Sequence, residues 1–116
     1  MSVFRYDEKT EAFITEIDGI RFQCDEVEDG YEDEAKSIAN AYRERLPELV
    51  SYMLPELCGV YGELSAQQVM DALGTPEISL TMKVVSYLEH TLDACHIITV
   101  EFDGVLETFY EVVVDG

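Results

Sequence analysis

The sequence predicts an α+β fold, a mostly antiparallel sheet built from hairpins and packed on one long helix plus a short helix. Asp18-Gly19 and Asp103-Gly104 each separate two runs rich in β-branched and aromatic residues, which is a hairpin signal. Between them, apolar residues from Tyr31 to Met53 recur at spacings of three and four, the stripe of an amphipathic helix. Ser65-Ala66-Gln67-Gln68 has the form of a capping box and opens a shorter helix. With 116 residues and 47% hydrophobic content, the chain has material for one core, so 1–116 is read as a single domain.

Each element follows from its residues. A two-residue loop at Asp18-Gly19 sets Ile17 opposite Ile20, Thr15 opposite Phe22 and Phe13 opposite Cys24, and pairs Glu16 with Arg21 on the other face. The long helix is striped by Tyr31, Ala35, Ile38, Tyr42, Leu46, Leu49 and Met53. Glu32, Asp33 and Glu34 fall in its first turn, where the macrodipole favours anions, and Glu32 can pair with Lys36. Pro47 predicts a kink or restart, and Pro55, Gly59 and Gly62 predict the end of the helical region, leaving Tyr61 in a loop.

The short helix runs from Ser65 to Gly74, a natural residue for the position after a helix end. From Glu77 to Leu88 alternation and β-branched content favour strand, broken near Thr81 to Lys83 into a short hairpin. The closing unit, His96 to Val114, is a second hairpin with two registers in play. A two-residue loop would put Glu107 beside Val100. A three-residue loop places Leu106, Thr108, Tyr110 and Val112 on the face of Phe102, Val100 and Ile98. The second buries the better face and is the expected one, although it sets Glu101 opposite Glu107.

Charge narrows the function. Seven Lys and Arg against 25 Asp and Glu give a formal net charge of −18, far outside the roughly 2 to 8 usual for a small domain. Unaided binding to nucleic acid or to an anionic membrane is therefore not expected. After Arg45 the only Lys or Arg is Lys83. The densest acidic stretch runs from Asp25 to Glu34, and its carboxylates Asp25, Glu26, Glu28, Asp29, Glu32, Asp33 and Glu34 are the candidate partner-binding residues.

No catalytic, metal or cofactor site is expected. Asp25-x-x-x-Asp29-Gly30 with Asp33 shares alternating oxygens and a sixth-position glycine with a calcium loop, but Val27 and Lys36 occupy ligand positions. His90, Cys95 and His96, with Cys24 as a fourth group, are close in sequence. In a strand, however, Cys95 and His96 would point to opposite faces, and the expected role is that of a hydrogen-bonded histidine at the core rim. No phosphate loop, nucleophile elbow or His-Glu-x-x-His helix occurs. The protein is therefore read as not an enzyme. Three cysteines without a Cys-x-x-Cys spacing fit buried reduced thiols, and the absence of an apolar leader fits a cytoplasmic location.

His96-Ile97, Val100-Glu101-Phe102-Asp103-Gly104 and the terminal Asp115-Gly116, together with the order hairpin, long helix, short connection and closing hairpin, resemble small uncharacterised bacterial α+β domain families of immunity-protein type. The element order covers most of the chain and the motif only its last twenty or so residues, with Cys95 where the pattern carries glycine. The resemblance implies a binding protein and brings no catalytic residues. The expected partner is a basic protein, a nuclease toxin or nucleic-acid-binding enzyme. The alternatives are a phage-type nucleic-acid mimic that inhibits a DNA-targeting enzyme, and a homodimeric or larger structural domain.

Overall fold

The computed structural model describes residues 3–115. The elements are β1 (Arg5–Asp7), β2 (Ala12–Ile17), β3 (Ile20–Cys24), α1 (Tyr31–Tyr61), α2 (Ala66–Ala72), β4 (Glu77–Ser79), β5 (Val84–Tyr87), β6 (Ile97–Asp103) and β7 (Thr108–Asp115). The seven strands form one sheet in chain order. Every neighbouring pair is antiparallel except β3 and β4. Only that parallel pair needs a long crossover, and both helices lie within it. They consequently fall on one side of the sheet, and no helix among the described residues covers the other.

The first hairpin has the expected register, with Ile17 opposite Ile20 and Phe13 opposite Cys24. Asp18 and Gly19 both take positive φ, 52° and 80°, as the two central residues of a type I′ turn must. Glu16 and Arg21 are cross-strand neighbours, but the Arg21 guanidinium makes its ion pair with Glu77 of β4, at 3.7 Å.

Of the two outcomes expected at Pro47, a restart does not occur. α1 is continuous over 31 residues, with Pro47 and Pro55 inside it, and ends at Gly62, so Tyr61 is its last residue rather than part of a loop. Each proline removes the bond to the carbonyl four residues earlier, here Arg43 and Ser51. Both of those residues lie on the exposed face of the helix, where water can satisfy a freed carbonyl. Leu49, Val50, Met53 and Leu57 on the opposite face are fully buried, and each such side chain contributes about 1.5–3 kcal/mol of burial. That packing outweighs the local penalty.

The second hairpin is corrected as well. Four residues, Gly104 to Glu107, connect β6 to β7, and the register shifts between Glu101 and Phe102. Phe102 faces Phe109, while Val100 and Ile98 face Val112 and Val114. The bulge supplies the extra residue that keeps apolar side chains on the helix side beyond the irregularity. It leaves Tyr110 exposed and sets Glu101 opposite Glu111 rather than Glu107.

Register carries one row across the core face: Thr15, Phe22, Ile78, Val85, Val100 and Val112. Ala35, Ile38, Leu49, Met53 and Leu57 of α1 and Val69 of α2, with Leu73 just beyond it, complete a single core. α1 approaches both β2 and β7, so it spans the sheet from near one edge to the other. A 31-residue helix measures about 46 Å at 1.5 Å per residue. The short helix keeps its capping box, with Gln68 N–H donating to Ser65 Oγ at 3.1 Å and Ser65 N–H donating to Gln68 Oε1 at 2.8 Å.

Candidate interaction surface

The acidic stretch links β3 to α1 and enters the first turn of the helix. Gly30 caps α1 in the left-handed region with no side-chain cap, so Glu32, Asp33 and Glu34 supply the negative charge that the helix start favours. The seven candidate residues divide into two groups. Glu28 accepts a 2.6 Å hydrogen bond from the Tyr31 hydroxyl, Glu32 pairs with Lys36 at 3.3 Å, and Glu34 pairs with Lys83. Asp25, Glu26, Asp29 and Asp33 are exposed, and their carboxylates carry no ion pair among the described residues.

Lys83 sits behind this stretch, its ammonium 5.8 Å from the centre of the Tyr31 ring. Burial lowers its pKa, partly opposed by Asp103 and Glu28. Cys24, at the end of β3, is held above the ordinary thiol range by burial and by Asp25 and Glu28, and so stays protonated and inert. The two lysines nearest the stretch are thus each paired with a glutamate, while four carboxylates face water.

The uncovered sheet face is graded in charge. At the β1–β4 end, Arg5 and Arg21 mix with Asp7, Glu16 and Glu77 around a shallow depression of about 590 Å³. At the other end, register brings Glu101 beside Glu111 and Ile97 beside Asp115. From Val84 onward there is no Lys or Arg at all. Arg45 reaches toward this end, but its guanidinium donates to the carbonyls of Leu106 and Glu107 at 2.7 and 3.1 Å and pairs with Glu48 at 2.9 Å. Its charge serves the β6–β7 turn.

The third feature is the loop between β5 and β6. His90 is buried, as expected of a hydrogen-bonded histidine at the core rim. Its Nδ1 accepts from Leu92 N–H at 3.2 Å, so the ring is the neutral tautomer whose Nε2–H donates to the His96 carbonyl at 2.7 Å. Cys95 and His96 precede β6 rather than lying in a strand, so the opposite-face argument does not apply, and Cys95 is exposed rather than buried. Asp93 gathers them: Oδ1 accepts the backbone N–H groups of Cys95 and His96 at 3.1 and 3.0 Å, and Oδ2 contacts His96 Nδ1 at 2.6 Å. Cys24 lies in β3 and takes no part.

Partial burial opposes ionisation of Asp93, but the Tyr61 hydroxyl, the His96 groups and the Cys95 N–H outweigh it and hold the carboxyl well below the ordinary range. Burial, and next the Asp93 carboxylate, push the Tyr61 phenol up to about 12. The Tyr61 hydroxyl is buried and has no partner in hydrogen-bond geometry among the described residues. The sequence showed His90, Cys95 and His96. It offers no reason to add Asp93 or Tyr61, because one is an ordinary loop aspartate and the other is expected past the helix end.

Compared with known proteins, the chain matches no family model, no curated protein and no solved structure. No helix among the described residues is long and apolar enough to cross a membrane.

Proposed function

We propose that this protein is a cytoplasmic, non-catalytic acidic binding protein that neutralises a basic partner, as an immunity protein does a nuclease-type toxin. The reading rests on the four carboxylates Asp25, Glu26, Asp29 and Asp33, which carry no ion pair among the described residues and face water while Lys36 and Lys83 are taken by Glu32 and Glu34. A groove that binds phosphates is lined with Lys and Arg, and a carboxylate array of this kind complements it. Opposite fields also raise encounter rates, toward about 10⁸–10⁹ M⁻¹s⁻¹ at low salt, which suits an inhibitor that must act before its target does. Mimicry of nucleic acid by an inhibitor of a DNA-targeting enzyme uses the same surface and the same physics.

A homo-oligomeric domain is the competing reading, and one observation favours it: β7 is an eight-residue edge strand that carries exposed Val113, with exposed Ile97 on the adjacent β6. Against it, a second copy would bring two chains of charge −18 together along a face that holds Glu101, Glu111 and Asp115. Pull-down from the native host lysate at low and high salt, with bound proteins identified by mass spectrometry, separates the readings. A basic nuclease or nucleic-acid-binding enzyme that elutes as salt rises supports neutralisation. Salt-insensitive recovery of the protein alone supports self-association.

A further inference from the structure

We propose that Asp93, Cys95 and His96 form a binding site for one divalent transition-metal ion of the zinc type, independent of the acidic partner surface. A carboxylate oxygen, the Cys95 Sγ and a His96 ring nitrogen lie within 4.8 Å of one another. Around a tetrahedral zinc, bonds of about 2.0–2.3 Å place such atoms roughly 3.3–3.7 Å apart. Rotation of exposed Cys95 and small shifts of the other two side chains close that gap. No oxygen-only ion such as calcium prefers this donor set, whereas thiolate, imidazole and carboxylate together suit zinc and its neighbours.

The loop is already organised for the task. The three donors come from four consecutive residues, so little chain has to be ordered. The His90 ring is a staple across the loop, bonded to Leu92 N–H on one nitrogen and to the His96 carbonyl on the other. Thr91 N–H donates to the Ala72 carbonyl at 2.8 Å and fastens the same loop to the end of α2. With both nitrogens engaged, His90 supports the site from outside and is not a ligand, as surrounding groups do in metal centres.

At present a hydrogen sits between His96 Nδ1 and Asp93 Oδ2, which are 2.6 Å apart. A cation can replace it. The imidazole then binds the metal through Nδ1 with a proton on Nε2, and Cys95 binds as the thiolate, with the displaced hydrogens going to solvent. Three protein donors leave a coordination position for water, and the Tyr61 hydroxyl, buried beside Asp93, is a ready hydrogen-bond partner for that water. The Tyr61 ring packs edge-on to both histidines, 6.5 Å from His90 and 6.4 Å from His96.

Titration of the reduced, metal-free protein with Co²⁺, followed by Zn²⁺, tests the site. The expected result is tetrahedral visible bands and a thiolate-to-cobalt charge-transfer band that saturate at one equivalent and bleach on adding zinc. Cys95→Ala abolishes the charge-transfer band and His96→Gln weakens binding at least tenfold. Cys95 is exposed and its thiol has no hydrogen-bond partner among the described residues, so the first variant keeps the fold even where the second does not. Absence of the charge-transfer band at one equivalent overturns the proposal. So does binding that survives Cys95→Ala and disappears when Asp25, Glu26, Asp29 and Asp33 are neutralised, which would mark cations held loosely by the acidic stretch.

Discussion

The hydroxyls of Tyr42 and Tyr87 lie 2.5 Å apart, joining the middle of α1 to the end of β5. Tyr87 is fully buried, so its hydroxyl needs a partner, and the helix supplies one that is itself largely covered. Removing one hydroxyl orphans the other at a cost of about 1–2 kcal/mol, whereas removing both leaves no unmet group. Tyr42→Phe and Tyr87→Phe are therefore each expected to destabilise the protein, and the double variant to lose less than their sum. Urea denaturation of the four proteins measures the coupling.

The same tyrosines make the protein sensitive to alkali. Burial holds Tyr42 and Tyr87 above the ordinary phenol range, the latter by a wide margin, and Tyr61 is pushed up to about 12. The unfolded chain ionises its phenols near about 10, so between the two values the folded state holds the extra protons. Their contribution is complete below about 10 and falls as pH rises through the folded-state values. Denaturation midpoints measured from pH 9 upward should decline more steeply for the wild type than for Tyr61→Phe.

Pro47 lies within the continuous helix α1, on its exposed side. Replacing it with alanine restores a donor for the Arg43 carbonyl, and stability is expected to rise by up to about 3 kcal/mol, the difference between proline and alanine inside a helix. Thermal unfolding reads the gain. An unchanged midpoint would show that packing has already absorbed the whole penalty.

Gly74 follows α2 with φ of 73°, and a Cβ there would lie 3.1 Å from the Glu89 carbonyl oxygen. Gly74→Ala is expected to cost about 1–3 kcal/mol, since a left-handed residue and a tight backbone contact are both penalised. Gly19, also left-handed at φ 80° but with open space around it, isolates the first of these effects. Comparing Gly74→Ala with Gly19→Ala by chemical denaturation separates strain from crowding.

Glu101 and Glu111 face each other across β6 and β7. Directly opposed like charges oppose folding, and exchanging one for a cation is expected to stabilise by about 0.2–1 kcal/mol at low salt. Glu111→Lys should raise the melting temperature in dilute buffer, with the gain shrinking as salt is added. A gain of that kind would mean that the wild-type protein carries this repulsion as part of an anionic face.

Legibility of the fold followed how local each determinant is. The Asp18-Gly19 hairpin could be read in full because two residues with positive φ fix both turn type and register. The Asp103-Gly104 hairpin could not, because a bulge at Glu101 and Phe102 inserts a residue that no local pattern announces. The restart expected at Pro47 does not occur because the rule against proline is local, whereas Leu49, Val50 and Met53 answer to the sheet beneath them. The three-residue strand β1 and the parallel pairing of Arg21 with Glu77 depend on contacts that only the folded chain brings together. Among the candidate residues, the acidic stretch was visible as composition. Its division into committed Glu28, Glu32 and Glu34 and open Asp25, Glu26, Asp29 and Asp33 required the positions of Tyr31, Lys36 and Lys83.

That division supplies the decisive measurement. The four open carboxylates can be neutralised as Asp25→Asn, Glu26→Gln, Asp29→Asn and Asp33→Asn without touching an ion pair that holds the fold. Association of this variant and of the wild type with the captured basic partner should be followed by stopped flow across a range of salt concentrations. The wild-type association rate is predicted to fall steeply with salt, and the variant to associate at least tenfold more slowly at low salt with a much shallower dependence. Equal rates and equal salt dependence for the two proteins would contradict the assignment of this surface to a cationic partner.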